Sequence, residues 1–337
     1  YSSYSDVIGY TSIPNVEKLI YPNTVEKLYS KGGSSETNEL KEVVLSNNIK
    51  EIPDGMFYYA GKLTNVIIGN GVTTIGSRAF ENCGNLENIV IPNNVVNIED
   101  WAFGFCSKLT NVTIGDNVTN IASDVFLNCS NLKNLIIGNS VTNLDWINFT
   151  AYPNLTSVTI GDGVTEIKDY AFYKCNKLTN VTIGKNVTTI GDYTFGNCAS
   201  LESIIITENI TNIGSRAFFE CNSLTSIKVS EKNSKYDSRN NCNAIIETNI
   251  NTLIQGCSTT IIPADVIVIN GYAFASLNSL INITIPNSVI YIGYGAFESC
   301  NYLEIVNYPG TQEEWNSITI ENGNNALKNA TINYNYK

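Results

Sequence analysis

Three groups of residues in this 337-residue chain have types and spacings that chemistry could use: cysteines, carboxylates and aromatic rings. Seven of the nine cysteines, Cys83, Cys106, Cys129, Cys175, Cys198, Cys221 and Cys300, each follow a phenylalanine by three residues. Thiols in such a row could ligate a metal, pair as disulfides or simply pack. Histidine is absent, which removes Ser-His and Cys-His nucleophile systems, histidine metal sites and the histidine pH switch together. Paired carboxylates could still hydrolyse glycosides, but the acids are scattered over variable positions with no shared pocket in view. No GxxxxGKS/T or GxGxxG run exists to cradle a phosphate. No catalytic, cofactor-binding or metal-binding residue is therefore assigned, and no enzyme is expected.

The elements that position these residues follow from a fixed period. Leucine recurs every 23 residues from Leu40 through Leu63, Leu86 and on to Leu224, and returns at Leu280 and Leu303. Phenylalanine keeps the same step from Phe57 to Phe218 and returns at Phe274 and Phe297. The shared wording is LxxVxIGxxVxxIGxxAFxxCxx. Alternating apolar positions such as Val112 and Ile114 are strand periodicity. The following Gly or Pro opens a turn, VxxI adds a second extended piece, and the AF pair anchors a short helical or 3-10 turn. One such repeat cannot bury its apolar side chains alone, so repeats must stack. The expected fold is a leucine-rich-repeat solenoid: 23-residue repeats forming short stacked parallel strands, β-rich, with a single continuous core.

The repeat LTNVTIGDNVTNIASDVFLNCSN (109–131) resembles that of the BspA-like, or Treponema pallidum-type, leucine-rich-repeat surface proteins, over residues 14–308. The stretch 236–257 is similar to an irregular hairpin insertion of bacterial members, and 308–334 to their C-terminal closing segment. The resemblance implies an exported bacterial or protist surface protein with adhesive or host-binding roles. It supplies no catalytic residues, and no binding residue transfers. The expected division is a degenerate capping repeat at 1–39, regular repeats at 40–230, a hairpin insertion at 231–262, resumed repeats at 263–308 and a C-terminal cap at 309–337. In the insertion Ile245, Leu253 and Ile261 are expected to rejoin the core. In the cap, Trp315, Ile318, Ile320 and Leu327 are expected to fold over the last repeat.

Composition narrows the partners. Charged residues make up 15% and the formal net charge is −11, which disfavours nucleic acid and anionic membranes. No apolar run of 18 residues occurs, so no membrane insertion is expected. The first residues lack the features of a signal peptide, and a leader and anchor are expected outside this sequence. The seven repeat cysteines read as buried thiols in an apolar slot that Ala60, Tyr152 and Leu277 also fill. Cys242 and Cys257 flank a hairpin symmetrically, and either a cross-strand disulfide or two packed thiols fits. Ten Asn-x-Ser/Thr sequons, Asn111, Asn180 and Asn282 among them, arise from the repeat wording. The outward strand positions, Asn65, Asn88, Asn111, Asn134 and Asn180 beside Ile67, Thr113, Ile136, Thr159 and Thr182, form a flat face poor in residues of the hot-spot kind.

The positions flanking each AF pair are different. In mid-array they hold Trp101, Trp146, Ile147, Tyr170, Tyr173 and Tyr193, a discontinuous aromatic ridge interrupted by Asp124. These six are the candidate partner-binding residues, with flat packing on the neighbouring turn as the alternative. The expectation is a monomeric, extracellular or cell-surface protein that presents an extended surface to a protein or glycan. Alternatives are a rigid spacer for another domain, and a carbohydrate-active enzyme or its accessory module.

Overall fold

The computed structural model describes residues 8–9, 16–29 and 39–337. The chain divides into two compact units, residues 1–165 and 166–337. Each is a stack of short parallel strands with a 23-residue register.

In the N-terminal unit, Asn88–Val90, Asn111–Thr113, Asn134–Ile136 and Ser157–Thr159 pair in order, each residue opposite its equivalent one repeat on. Lys18–Ile20, Glu42–Val44 and Asn65–Ile67 form a similar ladder. The VxxI segments make a second ladder of two-residue strands, Glu51–Ile52, Thr74–Ile75, Asn97–Ile98 and Asn120–Ile121. The central residue of each longer strand points inward: Val66, Ile89, Val112, Leu135 and Val158 are buried, and their neighbours face out. Inside, the repeat phenylalanines stack ring on ring, with Phe57, Phe80, Phe103 and Phe126 at centroid distances of 5.1, 5.2 and 5.6 Å. Such offset aromatic pairs contribute about 0.5–1.5 kcal/mol each beyond their buried area. The expected cap over 1–39 lies partly outside the described residues. Within it, Val25 and Leu28 are buried, while Val16 and Leu19 are half-buried.

In the C-terminal unit, Ser203–Ile206 pairs with Ser226–Val229, and Glu166–Ile167, Thr189–Ile190 and Asn212–Ile213 form the second ladder. The repeats then give way to an antiparallel arrangement of Tyr236–Asp237, Ile245–Glu247 and Thr252–Gln255. Thr252–Gln255 in turn pairs in parallel with Val268–Ile269, so the hairpin feeds back into a repeat ladder. Arg239 clamps this region, bonding Asp237, Asn251 and Asp265. Ile245 and Leu253 are fully buried, but Ile261 is 74% exposed and its neighbour Ile262 takes the inward place. The expectation for Ile261 is corrected by one residue, a shift that turns a side chain from one face of an extended segment to the other. Near the C-terminus, helix Gln312–Ser317 starts with a capping box between Thr311 and Glu314. Trp315, Ile318 and Leu327 are buried against the core that contains Phe297 and Val306, and Ile320 packs there partly buried. No helix among the described residues is long and apolar enough to cross a membrane.

No disulfide joins any of the nine cysteines, and all are buried. Cys257 Sγ lies 3.3 Å from the Asn243 carbonyl, while Cys242 turns to Ser238 and Ala244. The repeat slot proves to be more than filler. Cys83, Cys106, Cys129, Cys198, Cys221 and Cys300 donate to the carbonyls of Phe57, Phe80, Phe103, Phe172, Phe195 and Phe274, at 3.0–3.3 Å. Tyr152, in the same slot, donates its hydroxyl to the Phe126 carbonyl at 3.2 Å. The slot therefore supplies a weak donor to a buried carbonyl, and among the described residues Ala60 and Leu277 leave it without one. Burial pushes the Cys175 and Cys221 thiols up to about 12 and Cys300 to about 11. At those values the nucleophilic thiolate is scarce, so these cysteines are inert.

Candidate functional site

The turn built around each repeat phenylalanine decides which side chains reach solvent. Alternate backbone N–H groups there bond within the turn and to the next repeat. Ala79, Glu81 and Cys83 donate to Gly76, Arg78 and Phe80, whereas Arg78, Phe80 and Asn82 donate to Asp100, Ala102 and Gly104. This alternation requires left-handed backbone two residues before and two after the phenylalanine. It is a hydrogen-bonded turn and not a helix; a 3-10 helix occurs at a repeat phenylalanine only at Phe149–Ala151 among the described residues. The position after is often Asn, as at Asn82, Asn128 and Asn197, with φ near 60°. The position before carries Arg78, Trp101, Asp124, Tyr170, Tyr193, Arg216 and Tyr272, again with φ of 50–63°. Left-handed backbone costs an ordinary L-residue about 1–2 kcal/mol, and glycine or asparagine much less. Rings are thus held at solvent-facing positions where cheaper residues would serve the backbone better.

In the C-terminal unit these rings join. Tyr170, 51% exposed, stacks on half-buried Tyr193 with centroids 5.2 Å apart and planes 7° from parallel. Tyr173 meets both edge-on, at 5.5 and 6.2 Å. Tyr193 continues to Phe219 at 6.1 Å. The Arg216 guanidinium lies among three rings, 3.6 Å from Tyr272, 5.5 Å from Tyr193 and 5.6 Å from Phe219, and it bonds the Tyr193 hydroxyl. Tyr272 meets exposed Tyr294 at 5.7 Å. Gly196 makes room for this cluster, since a Cβ there would stand 3.0 Å from the Tyr173 ring and 3.2 Å from that of Tyr193. Sequence reasoning missed Arg216, Phe219, Tyr272 and Tyr294. The first three occupy the same positions relative to Phe218 and Phe274, so the register held the signal. The 56-residue step across the insertion concealed that Tyr272 meets Arg216.

In the N-terminal unit, Trp101 is half-buried and lies beside Phe105 at 5.8 Å. The expectation for Trp146 is overturned: it is only 8% exposed. Its indole N–H donates to the Asn143 carbonyl at 3.1 Å, and its ring packs 6.2 Å from Phe126. The cause is local. Asn148 stands in the alanine place and caps a 3-10 turn with its side chain, and on this altered backbone Trp146 packs inward. Ile147 is half-buried.

The strand face is self-satisfied by contrast. Asn111 donates to Asn88 and Asn134 to Asn111 at 2.5–2.6 Å, so neighbouring amides already pair with one another along the stack. Exposed Ile67, Val90 and Ile136 run beside them. Among the described residues, no group of three or more Cys, Asp or Glu could hold a metal ion.

A profile for the BspA-type leucine-rich-repeat region, in six copies, matches residues 34–151, 144–260 and 254–337. The chain belongs to the BspA-type leucine-rich-repeat family. No curated protein matches it. Among solved structures, a leucine-rich cell surface protein from Faecalibacterium prausnitzii is similar at 25% identity over 95% of this chain and 97% of that one, with a TM-score of 0.45. A leucine-rich-repeat protein from Bacteroides ovatus is 20% identical over 97% of this chain and 87% of that one, at 0.45. The T. pallidum leucine-rich-repeat protein is 21% identical over 55% and 78%, at 0.37. In this BspA-type chain, the regular repeats confine bulky rings to the turn positions, and the strand faces carry small polar and aliphatic residues.

Proposed function

We propose that this BspA-type protein is a non-catalytic, exported cell-surface protein whose turn side binds a protein or glycan partner. The observation that carries the reading is the display of Trp101, Tyr170 and Tyr193 from left-handed backbone. Glycine fills the same position at Gly55 and Gly295, so the fold accepts the inexpensive residue. Rigid amphipathic rings bury contact area at low entropy cost and dominate the energetics of most interfaces. The band from Tyr170 to Tyr294 extends the site beyond the residues legible in the sequence and gives it a cationic centre at Arg216. Tyr173 supports the edge of this band, and Trp146 packs in the core of the N-terminal unit.

The test is a Trp101→Ala, Tyr170→Ala, Tyr193→Ala triple variant compared with the native chain on a glycan array and by flow cytometry on epithelial and bacterial cells. The variant should keep its melting temperature within a few degrees and lose binding by about tenfold or more. Undiminished binding, or a large fall in stability, assigns the rings to packing instead.

A further inference from the structure

The N-terminal unit contains a polar pair that the fold does not use. Glu81 follows Phe80 directly, and its side chain is only 6% exposed. Its Oε2 is buried with no hydrogen-bond partner. The nearest cation is Arg78 in the same turn, with Nε 3.6 Å from Oε2, close enough for charge attraction but too far for a hydrogen bond. The Arg78 side chain is 58% exposed, and its guanidinium lies over the Trp101 indole, 5.6 Å from the ring centroid. Gly104 sits between the partners: a Cβ there would stand 3.6 Å from Trp101 Cβ and 3.7 Å from Glu81 Cγ. Burial raises the Glu81 carboxyl above its ordinary value, with Arg78 offsetting part of the effect.

A buried carboxylate oxygen without a donor costs about 1–3 kcal/mol or more. Here it stands beside an array of guanidinium donors and the half-buried Trp101 indole. Their chemistry defines what fits. With one charge of each sign the pair offers a charged ligand no net attraction, and it suits a neutral ligand that hydrogen-bonds both groups. The ligand must also donate to one group and accept from the other, which a hydroxyl does and a hydrocarbon does not. Finally, it must offer a flat apolar face to the indole. Adjacent ring hydroxyls and a C–H face occur together in a pyranose.

We propose that Trp101, Arg78 and Glu81 form a binding site for a neutral pyranose of a glycan chain, with the indole as its platform. Arg78 swings on its exposed stem to admit a hydroxyl between Nε and Oε2. That hydroxyl donates to the carboxylate and accepts from the guanidinium, and the sugar ring lies against the indole. The proposal rests on the reading that the turn side is the binding side, and it assigns a ligand class to one part of it.

Fluorescence titration of the full chain tests it, because Trp146 and Trp315 are buried and Trp101 is the tryptophan that a surface ligand reaches. The probes are maltohexaose, cellohexaose and mannohexaose, with a heparin hexasaccharide and spermine as charged controls. At least one neutral glycan should shift the emission saturably, and neither control should. Glu81→Gln and Arg78→Ala should each weaken that binding about tenfold, close to 1.4 kcal/mol, with no loss of melting temperature. Ile136→Ala, at an exposed position on the strand face, should leave it unchanged. Failure of every neutral glycan up to about 10 mM, a response to a charged control alone, or native affinity in both variants overturns the proposal. Cell binding that depends on Tyr170 and Tyr193 would survive that failure, so the broader reading is judged separately.

Discussion

Asn82 and Trp101 occupy the same kind of left-handed backbone, yet one is an inexpensive occupant and the other a costly one. That contrast separates residues the turn requires from residues the turn merely tolerates. Glu81 offers a second contrast, because its carboxylate is buried beside a guanidinium that does not hydrogen-bond it. Burial raises its folded-state pKa, and Arg78 only partly opposes this. A carboxyl with a raised folded pKa stabilises the fold below its unfolded value of about 4.3, and loses that contribution as pH rises through the folded pKa. Glu81→Gln, which is neutral throughout, should therefore raise the melting temperature at about pH 7 and leave it nearly unchanged at about pH 3. Calorimetry at the two pH values checks this. A lower melting temperature for the variant at neutral pH would mean that the Arg78 pair stabilises more than burial costs.

The 23-residue repeat contains two strands and a turn, and between the strands the backbones of neighbouring repeats approach closely. At Gly138 an added Cβ would stand 2.1 Å from the Gly115 carbonyl oxygen of the preceding repeat. The backbones approach so closely that no rotamer relieves the clash, and the ladders on either side oppose any shift. Gly138→Ala should lower stability by about 1–3 kcal/mol, the usual range for overpacking, read as a fall in the urea midpoint. An unchanged midpoint would show that the stack opens locally at low cost. In the sequence this glycine reads as a turn former after a strand. The actual constraint is a carbonyl 23 residues away, which no local pattern expresses.

A stack of repeats has ends, and each end presents apolar surface and unpaired strand edges. In the C-terminal unit, Thr319–Ile320 and Thr331–Asn333 close the two ladders by pairing with Tyr291–Ile292 and Ile305–Asn307. Trp315 meets buried Tyr308 edge-on at 5.1 Å, and Leu327 lies almost fully buried. We infer that residues 309–337 act as the C-terminal cap. Deleting them should expose the last ladder and produce aggregation or earlier melting in light scattering and thermal scans. A truncated chain that melts as the native one would refute the assignment.

The period determined most of this architecture by itself. A 23-residue register, alternating inward positions such as Val112 and Ile114, and a phenylalanine at constant phase leave one way to bury every repeat. The reason is physical: each repeat has the same faces, so the solution for one is the solution for its neighbours. The candidate site was partly legible for the same reason, because Trp101, Tyr170 and Tyr193 sit at a turn position whose outward direction the register implies. Only the tertiary structure decided the exceptions. Trp146 turned inward because its own repeat bends as a 3-10 helix, and Ile261 yielded its place to Ile262 where the register lapses. Arg216 reached Tyr272 across an insertion that sequence distance cannot measure. Glu81 Oε2 is buried without a hydrogen-bond partner, a property of packed neighbours that residue type alone does not carry.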